Sequence, residues 1–332
     1  RYTQLVNSMQ QKFQELAPEE DKAQAFNTLK NWFEQALETT KPEDHAPDFI
    51  AKEAFLRVMA AQIRILPSGH EFFIEGSDSI LDAGLRSGLA LDYGCSNGNC
   101  GLCKAKVVSG QVKKIRPHDY VLSETEKGLG FILTCSCTAV TDVVLEAGEA
   151  AGSHDIPVQE IDIRVKKIAW PDDRIILLHA KTPRTNRLRF LAGQYLSLHM
   201  DDLPAQDFSI ASCPCDDMNL SFHIPVATGS PLSDYLAGAV RPNASISIRG
   251  PRGDFILNED SPRSLVFIAC NSGFGPIKSL IEHAMALDIA EHLYLFWITT
   301  PGNTHYLQNL CRSWADALDN FHYRALNATE SQ

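Results

Sequence analysis

The sequence lacks an apolar run long enough to cross a membrane, because no window reaches the ~18 apolar residues that a transmembrane helix needs. It also lacks a secretory signal pattern. Positive charge is scarce, since 30 Lys and Arg face 41 Asp and Glu, for a formal net charge of −11. Nucleic-acid binding needs clustered Lys and Arg against the phosphates, so the composition argues against that function. An acidic surface suits a basic protein partner or plain solvation, and the charge alone leaves both open.

What remains is an ordinary globular composition. The 332 residues are 44% hydrophobic and 21% charged, which is enough apolar material for real cores. At roughly 100–200 residues per domain, the chain has room for two or three domains. Nine cysteines are unevenly spread, and those between positions 95 and 137 lie beside glycines, which indicates metal more than disulfides. In a long enzyme-like chain this usage points to a reducing compartment, and we expect a cytoplasmic protein.

The N-terminal segment, residues 1–60, shows helical periodicity and no chemical motif. Leu5, Met9, Phe13 and Leu16 recur at helical spacing. We expect this segment to be helical. It acts either as a docking arm for a partner protein or as a cap over apolar surface on its neighbour.

Strand periodicity begins near Gln62. Residues 61–150 combine short strands with a loop rich in Gly and Cys, and the small, polar residues 147–156 suit a linker. Many short alternating strands follow within residues 157–258, which indicates an antiparallel barrel or sandwich.

The pattern changes again in residues 262–332. A continuous apolar strand, a glycine loop, a helix, a strand and a second helix follow one another, which is the start of a parallel nucleotide-type sheet. After Asn320 there is room for only one more strand. We therefore expect the α/β domain to be truncated or incomplete here.

Four cysteines carry the strongest chemical signal. Cys95, Cys100 and Cys103 have the spacing C-x4-C-x2-C, and Cys135 follows 32 residues later. This is the plant-type [2Fe–2S] arrangement, in which one tight loop supplies three thiolates and a separate strand supplies the fourth. The glycines of the loop allow backbone N–H groups to turn toward the sulfurs.

Alternatives to this ligand set stay open. The cysteines could form a zinc site or be unrelated buried thiols, although zinc sites prefer paired C-x2–4-C knuckles and only one short pair is present in this region. Cys137 lies two residues after Cys135, so an extended segment would point both side chains to one face, and either could be the fourth ligand.

Four further segments follow the cluster motif in a fixed order. Their sequences are Gly193-Gln194-Tyr195 with Gln206-Asp207-Phe208-Ser209, then Gly250-Pro251-Arg252-Gly253-Asp254-Phe255, and finally the loop from Ala269 to Pro276. Together with the cysteine loop, this order resembles the flavin-dependent, ferredoxin-containing reductases that supply electrons to bacterial oxygenases. Examples are the reductases of methane monooxygenase, phenol hydroxylase and benzoate dioxygenase, and the reductase of CDP-hexulose dehydration is similar.

The resemblance covers about residues 61–332. It implies a multidomain α+β fold. A helical N-terminal extension (1–60) precedes a β-grasp [2Fe–2S] ferredoxin domain (61–150). An antiparallel FAD-binding β-barrel (157–258) and a Rossmann-like NAD(P)-binding α/β domain (262–332) follow.

The resemblance also implies flavin contacts. Phe208 stands where the family's aromatic residue packs on the isoalloxazine, and Ser209, the expected catalytic residue, where a hydroxyl approaches flavin N5. Gln206 replaces an Arg that pairs with a flavin phosphate. Losing that charge-assisted contact costs on the order of 1.5–3 kcal/mol, so flavin binds weakly or another cation, such as Arg252, compensates. The remaining expected contacts are Gly229, Ser233, Gly250, Pro251 and Gly253.

In the α/β domain, the expected nicotinamide contacts are Ser272, Gly273 and Pro276, at a helix N-terminus that suits a pyrophosphate. Cys270 and Asn271 replace two family glycines. Asn tolerates left-handed backbone geometry, so we expect the loop shape to survive, although its side chains can crowd the pyrophosphate. The family favours NADH over NADPH.

The resemblance implies a reductase component that passes electrons from NAD(P)H through FAD and the [2Fe–2S] cluster to a separate acceptor protein, for which a terminal oxygenase is favoured. The alternative is an electron-carrier or assembly subunit with an intact cluster and degenerate flavin and nicotinamide sites. Gln206, Cys270 and Asn271 favour the alternative, whereas Ser209 and the intact cysteine loop favour the reductase.

Overall fold

The computed structural model describes residues 60–76, 78–117, 120–200, 203–227, 229–238, 243–259 and 263–328. The helices expected before residue 60 lie outside this range. The described chain contains three sheets of three or more strands, each with its own apolar core.

The first sheet is five-stranded and mixed, in the order β2-β1-β7-β3-β5. β1 runs parallel to β7, and β3 is antiparallel to both β7 and β5. A small β4-β6 ladder lies beside it. The elements are β1 (Ala60–Leu66), β2 (Glu71–Glu75), α1 (Ile80–Arg86), β3 (Lys104–Ser109), β4 (Val112–Lys114), α2 (Glu124–Gly128), β5 (Phe131–Leu133), β6 (Cys137–Ala139) and β7 (Val143–Ala147). Helix α1 begins at Ser79, whose hydroxyl accepts the backbone N–H of Asp82 at 3.1 Å and so satisfies one free donor of the first turn.

The extended segment that would point Cys135 and Cys137 to one face, part of a strand that the sequence predicts over residues 130–144, is interrupted at its centre. A 3₁₀ turn, Thr134–Ser136, separates β5 from β6. Cys135 and Cys137 therefore do not belong to one extended strand.

The second sheet is a six-stranded antiparallel barrel in the order β11-β10-β13-β8-β9-β12. It nearly closes, because just beyond β11 the N–H of Ala211 donates to the carbonyl of Ser221 on β12 at 2.7 Å. The elements are β8 (Gln159–Ala169), β9 (Ile175–Lys181), β10 (Tyr195–His199), β11 (Gln206–Ser209), β12 (Asn219–Pro225), α3 (Pro231–Gly238) and β13 (Ser245–Arg252).

The third sheet is parallel, in the order β14-β15-β16, with α4 and α5 as its connections. Its elements are β14 (Leu265–Cys270), α4 (Phe274–Leu287), β15 (Leu293–Thr299), α5 (Gln308–Ala317) and β16 (Phe321–Asn327). The ring of Phe274 stacks on Trp297 with centroids 4.0 Å apart, and this pair anchors the start of α4 in the core. None of the described helices is long and apolar enough to cross a membrane.

Candidate functional site: a cysteine loop beside a ligand-binding barrel

The four predicted metal ligands converge at one end of the first sheet. The N–H groups of Asn99 and Cys100 point at the sulfur of Cys95 at 3.3 and 3.2 Å, and the N–H of Cys95 points at the sulfur of Cys100 at 3.3 Å. The sulfurs of Cys103 and Cys135 lie 3.2 Å apart. Left-handed glycines allow this loop to turn its donors inward, with φ of 87° at Gly98 and 79° at Gly101. This donor set fits a thiolate-held iron–sulfur cluster.

The environment separates Cys135 from Cys137. A hydrogen bond from the Cys103 thiol, aided by the Ser136 hydroxyl, lowers the pKa of Cys135 to about 6 against the cost of burial. Burial raises the pKa of Cys137 to about 11. The geometric reason to favour Cys135 as the fourth ligand is that its sulfur lies 3.2 Å from that of Cys103.

Arg116 holds the cysteine loop against the Cys135 turn. Its Nη1 donates to the carbonyl of Ser96 at 2.9 Å and to the carbonyl of Cys135 at 3.0 Å. Sequence reasoning missed Arg116, because it lies outside the cysteine motif and no spacing rule connects it to the loop.

The barrel places the predicted flavin residues on two strands. On β11, Ser209 pairs with Tyr195 of β10 and Phe208 pairs with Leu196, so Phe208 and Ser209 point to opposite faces of the strand. Phe208 is partly buried and packs against the barrel core. Gln206 pairs with Leu198 at the other end of β11.

Arg252, named as the compensating cation, lies near this strand. Its Nη1 donates to the hydroxyl of Ser197 at 3.0 Å, and that hydroxyl donates to a carboxylate oxygen of Asp207 at 2.6 Å. The guanidinium is thus held on the same face of the sheet as Ser209.

The glycine turn after β13 makes close contact with Tyr195. Gly253 has φ of 96°, and a Cβ there would come within 3.0 Å of the Tyr195 ring. The side chain of Gln194 fixes this turn by donating to the carbonyl of Gly253 at 3.1 Å. Gly250 and Pro251 belong to the end of β13, where a Cβ at position 250 would lie 2.5 Å from the Cβ of Leu196.

The start of α3 offers a hydroxyl to a ligand. Ser233 is 5% exposed, and across the described ranges its Oγ finds no hydrogen-bond partner. Gly229, two residues before α3, has φ of 72° and open space around its Cα. An unpaired buried hydroxyl at a helix N-terminus fits a phosphate oxygen, which is the part of FAD that this segment is expected to hold.

The glycine loop before α4 keeps its predicted shape. Asn271 has φ of 47°. Its side chain is turned toward Thr300, where Oδ1 accepts the Thr300 N–H and Nδ2 donates to the Thr300 hydroxyl, both at 3.0 Å. The amide therefore ties β14 to the end of β15. Around Gly273 there is open space, and Ser272 and Pro276 stand at the helix N-terminus as expected.

A buried polar contact joins the cysteine module to the barrel. Arg187, between β9 and β10, donates from Nε to Asp217 at 2.6 Å and from Nη1 to Asp82 of α1 at 2.9 Å. The Tyr93 hydroxyl, two residues before Cys95, donates to the carbonyl of Leu188 at 3.1 Å. The loop that would hold the cluster is thus fixed directly to the barrel.

Comparisons with known proteins assign both modules. Residues 63–140 match the 2Fe-2S iron-sulfur cluster binding domain, and residues 161–256 match the oxidoreductase FAD-binding domain. Protein RfbI of Salmonella typhimurium is 30% identical over 269 residues, which cover 80% of this chain and 77% of that protein. The chain belongs to the ferredoxin-containing flavin reductases.

Two further relatives show the range of this reductase family. The CDP-6-deoxy-L-threo-D-glycero-4-hexulose-3-dehydrase reductase of Yersinia pseudotuberculosis is 29% identical over 265 residues, covering 80% of this chain and 79% of that protein. Reductase component 2 of terephthalate 1,2-dioxygenase from Comamonas sp is 27% identical over 281 residues, covering 80% and 79%. The chain is an electron-transfer oxidoreductase with [2Fe–2S] and FAD domains, which confirms the expected family, fold class and these two cofactors. The individual ligand and contact residues stay predictions.

Proposed function

We infer that the protein passes electrons from NADH through FAD and the [2Fe–2S] cluster to a separate acceptor protein. The observation that carries this inference is the buried contact between the cysteine module and the barrel. Tyr93 bonds the barrel backbone at 3.1 Å, and Arg187 links the barrel to α1. A fixed approach of the two modules suits electron transfer within one chain.

When bound, FAD takes an electron pair from the nicotinamide and delivers electrons singly to the cluster. Ser233 and the N-terminus of α3 would hold a flavin phosphate. Arg252 lies on the Ser209 face of the sheet, opposite the face to which Gln206 points, and would supply positive charge there. Ser209 would present its hydroxyl to the reactive part of the ring. Cys95, Cys100, Cys103 and Cys135 would hold the iron.

The acceptor would approach the exposed side of the cysteine loop. Cys100 is exposed, and neighbouring Leu102 is 61% exposed, whereas Cys103 and Cys135 are buried. We propose a terminal oxygenase as the acceptor, since one relative is named as the reductase component of a dioxygenase. A sugar dehydrase is the second candidate, because another relative is named as the reductase of such an enzyme.

Flavin extraction tests the proposal against the alternative of a carrier with degenerate reductase modules. The purified holoprotein should release FAD on acid precipitation, in about the same molar amount as the chain. Ser233→Ala should lower the flavin content while iron content stays the same. A protein that assembles its cluster yet never retains added FAD would overturn the reductase proposal in favour of the carrier.

A further inference from the structure

A second cysteine cluster lies outside the iron–sulfur loop. Cys213 and Cys215 follow β11 by four and six residues, and the structure joins them as a disulfide. His283 of α4 approaches the pair, with its Nδ1 4.0 Å from the sulfur of Cys215. One ligand atom from each of the three residues lies within 4.8 Å of the others.

His283 is oriented as metal-binding histidines are. Its side chain is buried, and its Nε2 lies 3.0 Å from a carboxylate oxygen of Glu259. Metal-ligating histidines commonly donate the second ring N–H to a carboxylate in this way, which fixes the tautomer and the ring orientation.

The disulfide itself contributes little to the stability of the fold. The bond joins residues two apart in sequence. A cross-link stabilises mainly by restricting the unfolded chain, and a loop this short leaves little to restrict. In a reducing compartment the two residues are thiols.

We propose that the reduced protein binds Zn²⁺ through Cys213, Cys215 and His283. Two thiolates and a neutral imidazole are ordinary zinc ligands, and the two thiolates balance the charge of the ion, although the Cys-x-Cys spacing is one residue shorter than the usual zinc knuckle. The disulfide is the metal-free, oxidised form of the same site. Zinc binding releases the thiol protons and involves no electron transfer.

Two cavities border His283. A cavity of about 20 Å³ is lined by Pro214 and His283, which is room for one water molecule. A larger cavity of about 420 Å³ is lined by Glu259 and His283.

The position of the site gives it a role in holding the modules together. The segment that follows β11 and carries Cys213 is already bound to α4. Ser279 donates to the carbonyl of Ser212 at 2.7 Å, and Lys278 donates to the carbonyl of Ala211 at 3.1 Å. Zinc would add a bond between the same two segments. Zinc would thereby link α4, which begins after the glycine loop, to the segment that follows β11, the strand that carries Ser209.

The test is a metal analysis of the full-length protein with its cluster and flavin in place. The protein is reduced with dithiothreitol under nitrogen, freed of reductant, dialysed against Zn²⁺ and assayed for zinc and iron by mass spectrometry. We expect one zinc per chain in addition to the cluster iron. X-ray absorption at the zinc edge should show two sulfur neighbours at about 2.3 Å and nitrogen or oxygen neighbours at about 2.0–2.1 Å.

Variants assign the zinc to this site. Cys215→Ser and His283→Asn should lose zinc and keep iron, and Cys270→Ser, which removes an exposed cysteine elsewhere, should keep both. Glu259→Gln should weaken zinc affinity by about 10–100-fold. Iron and flavin content verify that each variant is folded. The proposal is overturned if the reduced wild-type protein takes up no zinc, or if Cys215→Ser retains it.

Discussion

Removing the Arg187 side chain should be among the most damaging single changes in the described chain. Its side chain is 10% exposed and that of Asp217 is 1% exposed, and two of its nitrogens contact the Asp217 carboxylate. Burial raises the pKa of Asp217 while Arg187 opposes that rise. Arg187→Ala leaves a buried carboxylate without its partner, at a cost of about 3–5 kcal/mol. For a unit of this size that lowers the unfolding temperature by about 6–20 °C.

Thermal unfolding of the cluster-loaded protein, followed by cluster absorbance, measures this loss. Arg249→Ala is the matched control, because Arg249 and Glu160 form a surface pair 3.3 Å apart with side chains 52% and 72% exposed. Such a pair contributes about 0–1 kcal/mol. Replacing both buried partners, as Arg187→Met with Asp217→Leu, should recover most of the loss because no unpaired charge remains.

The variant also has a pH signature. Without Arg187, the folded-state pKa of Asp217, which burial already raises in the wild type, rises further, so the folded variant binds a proton more readily than the folded wild type does. The deficit relative to wild type should therefore shrink as the pH is lowered. The reasoning is refuted if Arg187→Ala shifts the transition no more than Arg249→Ala does, or if the double replacement is no better than the single one.

Three further predictions concern individual residues. Cys135→Ser should lose cluster iron and its visible absorbance, whereas Cys137→Ser should keep both, and equal loss would contradict the ligand assignment. Gly253→Ala should lower FAD retention, because φ of 96° and the 3.0 Å contact resist a Cβ, whereas Gly152→Ala, with nothing within 4 Å, should not change it. Burial lowers the pKa of His223 to about 3, so the unfolded chain binds a proton that the folded chain does not between about pH 6.5 and pH 3. In this range the free energy of unfolding should fall by about 1.4 kcal/mol for each unit by which the pH is lowered. Urea unfolding of His223→Gln should show a flatter dependence on pH.

The sequence predicts best those features that local spacing determines. The C-x4-C-x2-C loop requires three sulfurs to converge whatever the rest of the chain does, and the structure brings Cys95 and Cys100 together through their own backbone N–H groups. Alternating apolar residues likewise predict the barrel, and the left-handed conformation of Asn271 follows from the tolerance of Asn for that geometry.

Features that depend on distant partners could not be predicted. Arg187 meets Asp217 across 30 positions and Asp82 across 105, and the chain offers many other Arg and Asp residues. Cys215 meets His283 across 68 positions. The Cys213-Pro214-Cys215 spacing is apparent in the sequence, but only the packing of α4 brings the imidazole of His283 to the two cysteines. The 3₁₀ turn at Cys135 was missed because the apolar pattern around it continues as in a strand.

The most direct test of the proposed electron path is an anaerobic visible spectrum of the full-length holoprotein, recorded before and after addition of NADH. Dithionite added afterwards gives the fully reduced reference. The account predicts that NADH bleaches the flavin bands and the iron–sulfur bands together. Cluster bands that respond to dithionite and stay unchanged with NADH would contradict it, and would leave the chain as a ferredoxin on a reductase scaffold that no longer uses nicotinamide.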